Sequence, residues 1–356
     1  MKLLTRLSLL GFALLVLFAQ GLKAGEIYQG LISQRSLAMG NTGIASANDS
    51  YAVSYNPAVL ANVKNWWVDL AAWTLEASEG MEVLDAAGNL VTIQFPYVDE
   101  NGLKAGFRQS FLNKDQPHLR ANAGINFAAR LSDEGVAIGA NLAREITIQG
   151  LENNTQIFQR NERIQQVGLS IPLGQGQWVL GLAGRGIERR DATSDATQVP
   201  QFGEFETGTA ADVGMLFRFA GHNSLGLVVQ NAGGTDIGAT VDAEPQEVHL
   251  GWSADWELGF IRLVPALDLR GVSTPREEKN RVHAGVEFGL FPNSTGGNLL
   301  SIRAGSNRGY PTQGAELNFF NRSLLLGATR YSEEVGTASA KAESSQRQLV
   351  YVSVGW

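Results

Sequence analysis

The sequence predicts an all-β protein: a transmembrane antiparallel β-barrel of about fourteen strands with an N-terminal hatch or plug segment. Three observations predict it. The chain opens on an export signal, its side chains alternate apolar and polar with a period of two, and its connections alternate short and long.

The opening stretch, MKLLTRLSLLGFALLVLFAQGLKAGE, places Lys2 and Arg6 ahead of an apolar run from Leu7 to Ala19, followed by small residues at Gly21, Ala24 and Gly25. That is the pattern of a cleaved secretory signal peptide. The run is shorter than the roughly 20 residues of a membrane-spanning helix. Cleavage after Gly21 and cleavage after Ala24 both fit. The expected division is signal peptide 1–24, hatch 25–65 and barrel 66–356. With no cysteine, disulfides and lipoprotein anchoring are excluded. A net charge of −7 argues against a nucleic-acid partner, which needs clustered Lys and Arg. Hydrophobic residues make up 44% and are spread along the chain, so the 41 glycines do not signal disorder.

The alternation is regular. In RVHAGVEFGL, Val282, Ala284, Val286, Phe288 and Leu290 share one face, and Arg281, His283, Gly285, Glu287 and Gly289 the other. NAGINFAAR sets Ala123, Ile125, Phe127 and Ala129 against Asn122, Gly124, Asn126 and Arg130. After Pro245, Val248, Leu250, Trp252, Ala254 and Trp256 oppose Glu247, His249, Gly251, Ser253 and Asp255, and the last strand aligns Val350, Val352, Val354 and Trp356. Such segments are strands with one apolar and one polar face.

Strands are expected at 66–76, 119–130, 135–149, 161–172, 176–189, 206–220, 223–233, 245–258, 261–273, 279–290, 298–307, 311–321, 322–333 and 346–356. Short links such as LSDEG, LGQGQ and AGHN alternate with long ones such as GLENNTQIFQRN and DATSDATQVPQFGE; the link around Gly309 is nearly a tight turn. Outer-membrane barrels are built this way, with an even strand number. Parity makes residues 77–118 one large external excursion. Trp66, Trp67, Trp178, Phe219, Trp256, Phe260, Phe291, Phe319, Phe320 and Trp356 fall near the short-turn ends, as an interfacial aromatic belt requires. Phe202, Phe205, Tyr310 and Tyr331 are candidates for the thinner opposite rim.

The stretch RSLAMGNTGIASANDSYAVSYNPAVLA stands between the signal and the first strand. Pro57 lacks an N–H and holds Asn56 extended, and the Asn56 side chain can bond back to nearby backbone. Small residues here allow close backbone packing. The pattern Ala38-Met39-Gly40, Gly43, Ala45, Asp49 and Asn56-Pro57-Ala58 resembles the N-terminal signature of FadL-type outer-membrane proteins, most of all their shorter PorV-like members. The resemblance extends through SLGLVVQNAG, PQEVHLGWS, SIRAGSNRG and YSEEVG. It implies a barrel with a hatch whose motif is Gly40, Gly43, Asn56, Pro57 and Ala58. It also implies passage of hydrophobic or amphiphilic small molecules across the outer membrane; the alternative is a non-transporting PorV-like scaffold or shuttle for secreted proteins. Outer-membrane lipid, and either such molecules or a secreted protein, are the partners implied.

The polar faces predict a charged lumen lined by Arg130, Arg185, Arg218, His249, Arg281, His283, Glu287 and Arg303, with Asp69, Arg163, Asp212, Asp255, Arg262, Asp268 and Arg270. Mixed signs suit cross-strand ion pairs. The four histidines, His118, His222, His249 and His283, form no metal-type pair in sequence. No motif joins a nucleophile to a base, so neither an enzyme nor a cofactor is expected.

Overall fold

The computed structural model describes residues 31–78, 117–151, 156–195, 198, 201–238, 244–273, 281–293, 296–335 and 343–355. The expected signal peptide, residues 25–30 of the expected hatch, most of the 77–118 excursion and Trp356 lie outside the described residues.

Among the described residues, fourteen antiparallel strands close into a barrel. They are β1 (Trp66–Ser78), β2 (His118–Arg130), β3 (Ala137–Leu151), β4 (Gln156–Leu173), β5 (Trp178–Asp195), β6 (Glu206–Phe219) and β7 (Asn223–Gln230). Then follow β8 (Glu247–Ala254, resuming as Trp256–Leu258), β9 (Ile261–Leu269), β10 (Val282–Pro292), β11 (Asn298–Asn307), β12 (Tyr310–Phe319), β13 (Leu324–Val335) and β14 (Glu343–Gly355). Each strand pairs with the next, and β14 pairs with β1 to complete the ring. No edge is left unpaired, which is what a bilayer demands of a sheet.

The outer face carries the apolar residues. Val167, Leu169, Ile171 and Leu173 of β4 and Trp178, Leu180 and Leu182 of β5 are exposed, while their sequence neighbours Gln166, Ser170, Val179 and Ala183 are buried. From Val167 to Leu173 the band runs about 20 Å along the strand, roughly 15 Å in height at the usual barrel tilt, which fits within the roughly 25 Å of a membrane barrel. At the short-turn ends aromatic rings gather: Trp178 against Phe217 at 4.2 Å, Phe260 near Phe291 and Phe319 near Phe320.

Four expectations are corrected. β4 and β5 are each 18 residues long, so much of the two predicted long loops is strand projecting past the apolar band. On that projection Arg163 faces outward, half exposed and paired with Glu188, and does not line the lumen. Trp67 turns inward and is buried, donating from Nε1 to Asp69 under the Arg322 guanidinium, so it is not in the belt. Tyr331 is likewise buried inside the barrel rather than set at the rim.

β1 contains an irregularity the alternation did not foretell. Its register slips between Asp69 and Ala71 against β14, and between Asp69 and Ala72 against β2. This is a β-bulge. It lets Asp69 and Ala72 both point inward although they are three residues apart.

Candidate functional site

Residues 31–63 sit inside the barrel. Between Ser33 and Ala61 every residue except Asn48 is buried, a degree of enclosure that so short a stretch reaches only when surrounded on all sides. The segment forms α1 (Gln34–Ala38), α2 (Ala52–Tyr55) and a 3-10 helix (Pro57–Asn62). Ser33 caps α1, and Asn56 caps the 3-10 helix by accepting from the Ala58 N–H at 3.0 Å, with Pro57 in the first turn, where its missing N–H costs nothing.

Asn56 does more than cap. Its Nδ2 donates to Ile44 O at 2.9 Å inside the segment, and lies 3.4 and 3.5 Å from the Met215 and Leu227 carbonyls on β6 and β7. One side chain thus joins two parts of the inner segment to the wall. Gly40 adopts φ +73, and its N–H donates to Thr312 Oγ1 at 2.8 Å. The Gly43 and Ile44 N–H groups both donate to Asp268 Oδ2, at 2.7 and 3.1 Å.

Inward-facing glycines make the seat. A Cβ at Gly214 would stand 1.9 Å from Asn56 Oδ1, one at Gly181 2.1 Å from the Ala58 nitrogen, and one at Gly285 2.1 Å from the Met39 carbonyl oxygen. In a strand such glycines mark close approach of another backbone. Alternation alone counted them as polar-face positions, so the signal was present but unread.

The charged residues divide by height. Arg35 of α1 pairs with Glu287 of β10 at 2.9 Å, and Arg303 of β11 joins Glu287 at 2.7 Å and Glu316 of β12 at 3.1 Å. Tyr351 also donates to Glu316. His283 lies 3.0 Å from the Gly40 carbonyl, and His249 accepts from the Gly271 N–H at 2.8 Å while facing Gln230. Arg270 donates to Asn41 O and stacks over the Tyr55 ring. Arg218 donates to Ala61 O and Asn62 Oδ1, tying the end of the 3-10 helix. Arg185 reaches Asn231 and Glu244 nearer the long-loop side. The other two predicted lining residues sit at strand ends. Arg130 spends its guanidinium on its own turn, at the Ser132 and Asp133 carbonyls, and Arg281 stands just ahead of β10, its carbonyl accepting from the Arg270 N–H.

Within the segment, burial pushes the Asp49 carboxyl up from its ordinary value despite Arg35 nearby, and pushes the Tyr55 phenol up to about 12. Asp49 accepts from Ser33 Oγ at 2.5 Å and from the Tyr51 N–H at 3.0 Å. Beside it, against the β1–β14 seam, lies a cavity of about 40 Å³ bounded by Arg35, Asp49, Asp69, Ala72–Thr74 and Tyr351–Ser353.

No family model matches the chain, and no curated protein matches it by sequence. Solved structures do match in fold. The CymD monoaromatic hydrocarbon channel aligns at TM-score 0.56 and 10% identity, covering 90% of this chain and 96% of that one. A deltaS2 mutant of the TodX monoaromatic hydrocarbon channel aligns at 0.55 and 13% identity, covering 90% and 98%. The TodX deltaS2S3 mutant aligns at 0.54 and 12% identity with the same coverage. At these identities the likeness is one of fold.

Proposed function

We propose that the chain is an outer-membrane channel admitting hydrophobic or amphiphilic small molecules, exported by its cleaved signal peptide and sealed at rest by residues 25–65 acting as a hatch. The observation that carries this reading is the glycine seat. Where the inner segment lies, the wall gives up its own side chains, so the lumen there is filled by a separate segment and not by the wall. A barrel that only had to be stable would fill its lumen with strand side chains. The fold likeness to two monoaromatic hydrocarbon channels supports an apolar substrate class.

The test is uptake of a labelled monoaromatic hydrocarbon by vesicles with a lipopolysaccharide outer leaflet, with and without the protein. Protein-dependent, saturable uptake is expected. Impermeability to every apolar candidate rejects transport.

One observation favours the second reading, a PorV-like scaffold or shuttle. The ion-pair chain Arg35–Glu287–Arg303–Glu316 fastens the inner segment to the wall in its resting position. If the protein conducts nothing and detergent extracts return it bound to one secreted protein, the scaffold reading replaces the channel.

A further inference from the structure

On the outer face of the wall, arginines gather where the apolar band stops. Alternation sends Arg144 of β3, Arg163 of β4 and Arg190 of β5 outward, since their neighbours Glu145, Glu162 and Arg189 are buried on the lumen side. Arg144 stands directly opposite Arg163 in the register, and Arg163 opposite Glu188. Arg190 stands opposite Asn161, one outward position further along.

Height says what this group meets. Arg163 lies ten residues along β4 from Leu173, roughly 25 Å of height at the usual strand tilt, which is the full apolar band of a membrane barrel. The guanidinium groups therefore sit where lipid headgroups begin. They are on the long-loop side, which in such barrels faces out of the cell.

Two features set the group apart from the ion pairs of the lumen. Like charges directly opposite each other on a sheet repel, yet Arg144 faces Arg163. The carboxylate that Arg163 holds, Glu188 at 3.0 Å, comes from its other flank. The second feature is aromatic. The Arg163 and Arg190 guanidinium groups lie 4.4 and 4.5 Å from the Phe205 ring centroid, and Arg190 lies 4.8 Å from that of Phe202. A ring against the face of a guanidinium steadies it while its in-plane N–H groups reach other acceptors.

Charge and shape then select the partner. Three arginines against Glu188, and against the exposed Glu204 beside Phe205, leave the group positive in a chain of net charge −7. The guanidinium fork matches phosphate oxygens two at a time. Adjacent strands root two such forks about 5 Å apart, close enough to share one phosphate.

We propose that Arg144, Arg163 and Arg190 form a site for a phosphate carried by a glycolipid of the outer leaflet. The proposal rests on the chain being an outer-membrane barrel and not on what passes through it.

Native mass spectrometry of the detergent-solubilised full-length protein, counting bound lipid, tests it. The probes are diphosphorylated lipid A and the same lipid stripped of both phosphates. The phosphorylated form should bind saturably and at least about tenfold tighter, the worth of one charge-assisted hydrogen bond. Arg144→Gln/Arg163→Gln should bring the two lipids level in a barrel that still migrates as folded. Arg330→Gln removes an exposed arginine of β13 outside the group and should leave the preference intact. Equal binding by the unaltered protein, a preference that survives the double substitution, or one lost equally in Arg330→Gln overturns the proposal. So does full competition by inorganic phosphate at the lipid's own concentration, which makes the group a general anion site. Without lipid A, Arg144→Gln alone should resist urea at least as well as the unaltered protein, because it relieves the facing charges. A lower urea midpoint assigns Arg144 to holding the wall and also overturns the proposal. Vesicle uptake of hydrocarbon judges the channel reading separately, and its absence sinks the channel while leaving this site standing.

Discussion

Arg35 Nε and Glu287 Oε2 meet at 2.9 Å across 252 residues of sequence, and the contact joins the inner segment to the far side of the wall. Both side chains are buried, and Arg303 shares the carboxylate. Removing the acceptor leaves two buried guanidinium groups without it. Glu287→Ala is therefore expected to destabilise the protein by about 3–5 kcal/mol, the usual cost of breaking a buried pair from one side. Urea unfolding into lipid vesicles measures it, and Glu287→Gln should lose less because it keeps an oxygen acceptor.

Asn56→Ala removes the cap on the 3-10 helix and the bond to Ile44. About 1–2 kcal/mol should be lost, all of it from the inner segment. Protease added on the short-turn side should cleave between residues 31 and 65 faster than in the unaltered protein, while the barrel keeps the gel mobility of a folded one.

Gly214→Val places a side chain where Asn56 Oδ1 now lies, 1.9 Å from the new Cβ. The inner segment should become protease-sensitive without loss of the barrel. Gly184→Val is the control, because its Cβ meets nothing within 4 Å and the change should be silent.

A charge on the outer face tests the bilayer assignment. Leu182 is 54% exposed within the apolar band of β5. Leu182→Arg should cost about 2–4 kcal/mol if that position sits near the bilayer midplane, measured by the same unfolding titration. A neutral result there would mean that water, not lipid, covers the face.

Burial raises the Asp49 carboxyl above its ordinary 3.8, so the folded state holds that proton more tightly than the unfolded state does. Its stabilising contribution is full below about pH 4 and is lost as pH rises through the raised value. Protection of the inner segment from protease should therefore fall over that range, and Asp49→Asn should flatten the profile.

Most of the wall was legible because lipid outside and polar lumen inside impose a period of two that nothing local disguises. Val167 to Leu173 and Val282 to Leu290 carry it plainly. The rule ends where the bilayer ends, which is why Arg163, on the projecting part of β4, was assigned the wrong face. The bulge in β1 was hidden because Leu70 and Ala71 are both tolerable on the outer face, so no residue type marks the slip. In the inner segment, Asn56 and Pro57 announced their own local turn. What they hold in space did not show: the Met215 and Leu227 carbonyls lie about 160 residues or more away, and only the pattern of inward glycines pointed there.

A hatch must move to admit anything, and a covalent lock asks whether it does. A Cβ at position 139 on β3 lies 3.4 Å from Val53 Cβ on α2, just below the usual disulfide separation, and 2.6 Å from Leu60 Cδ2, the far end of a side chain that must turn aside; the chain has no cysteine to interfere. The decisive measurement is hydrocarbon uptake by the Val53→Cys/Gly139→Cys protein, oxidised and then reduced. Uptake at least tenfold slower when oxidised, and restored by reductant, is the expected result. Equal uptake in both states would contradict the account, because the inner segment would then be a fixed part of the wall.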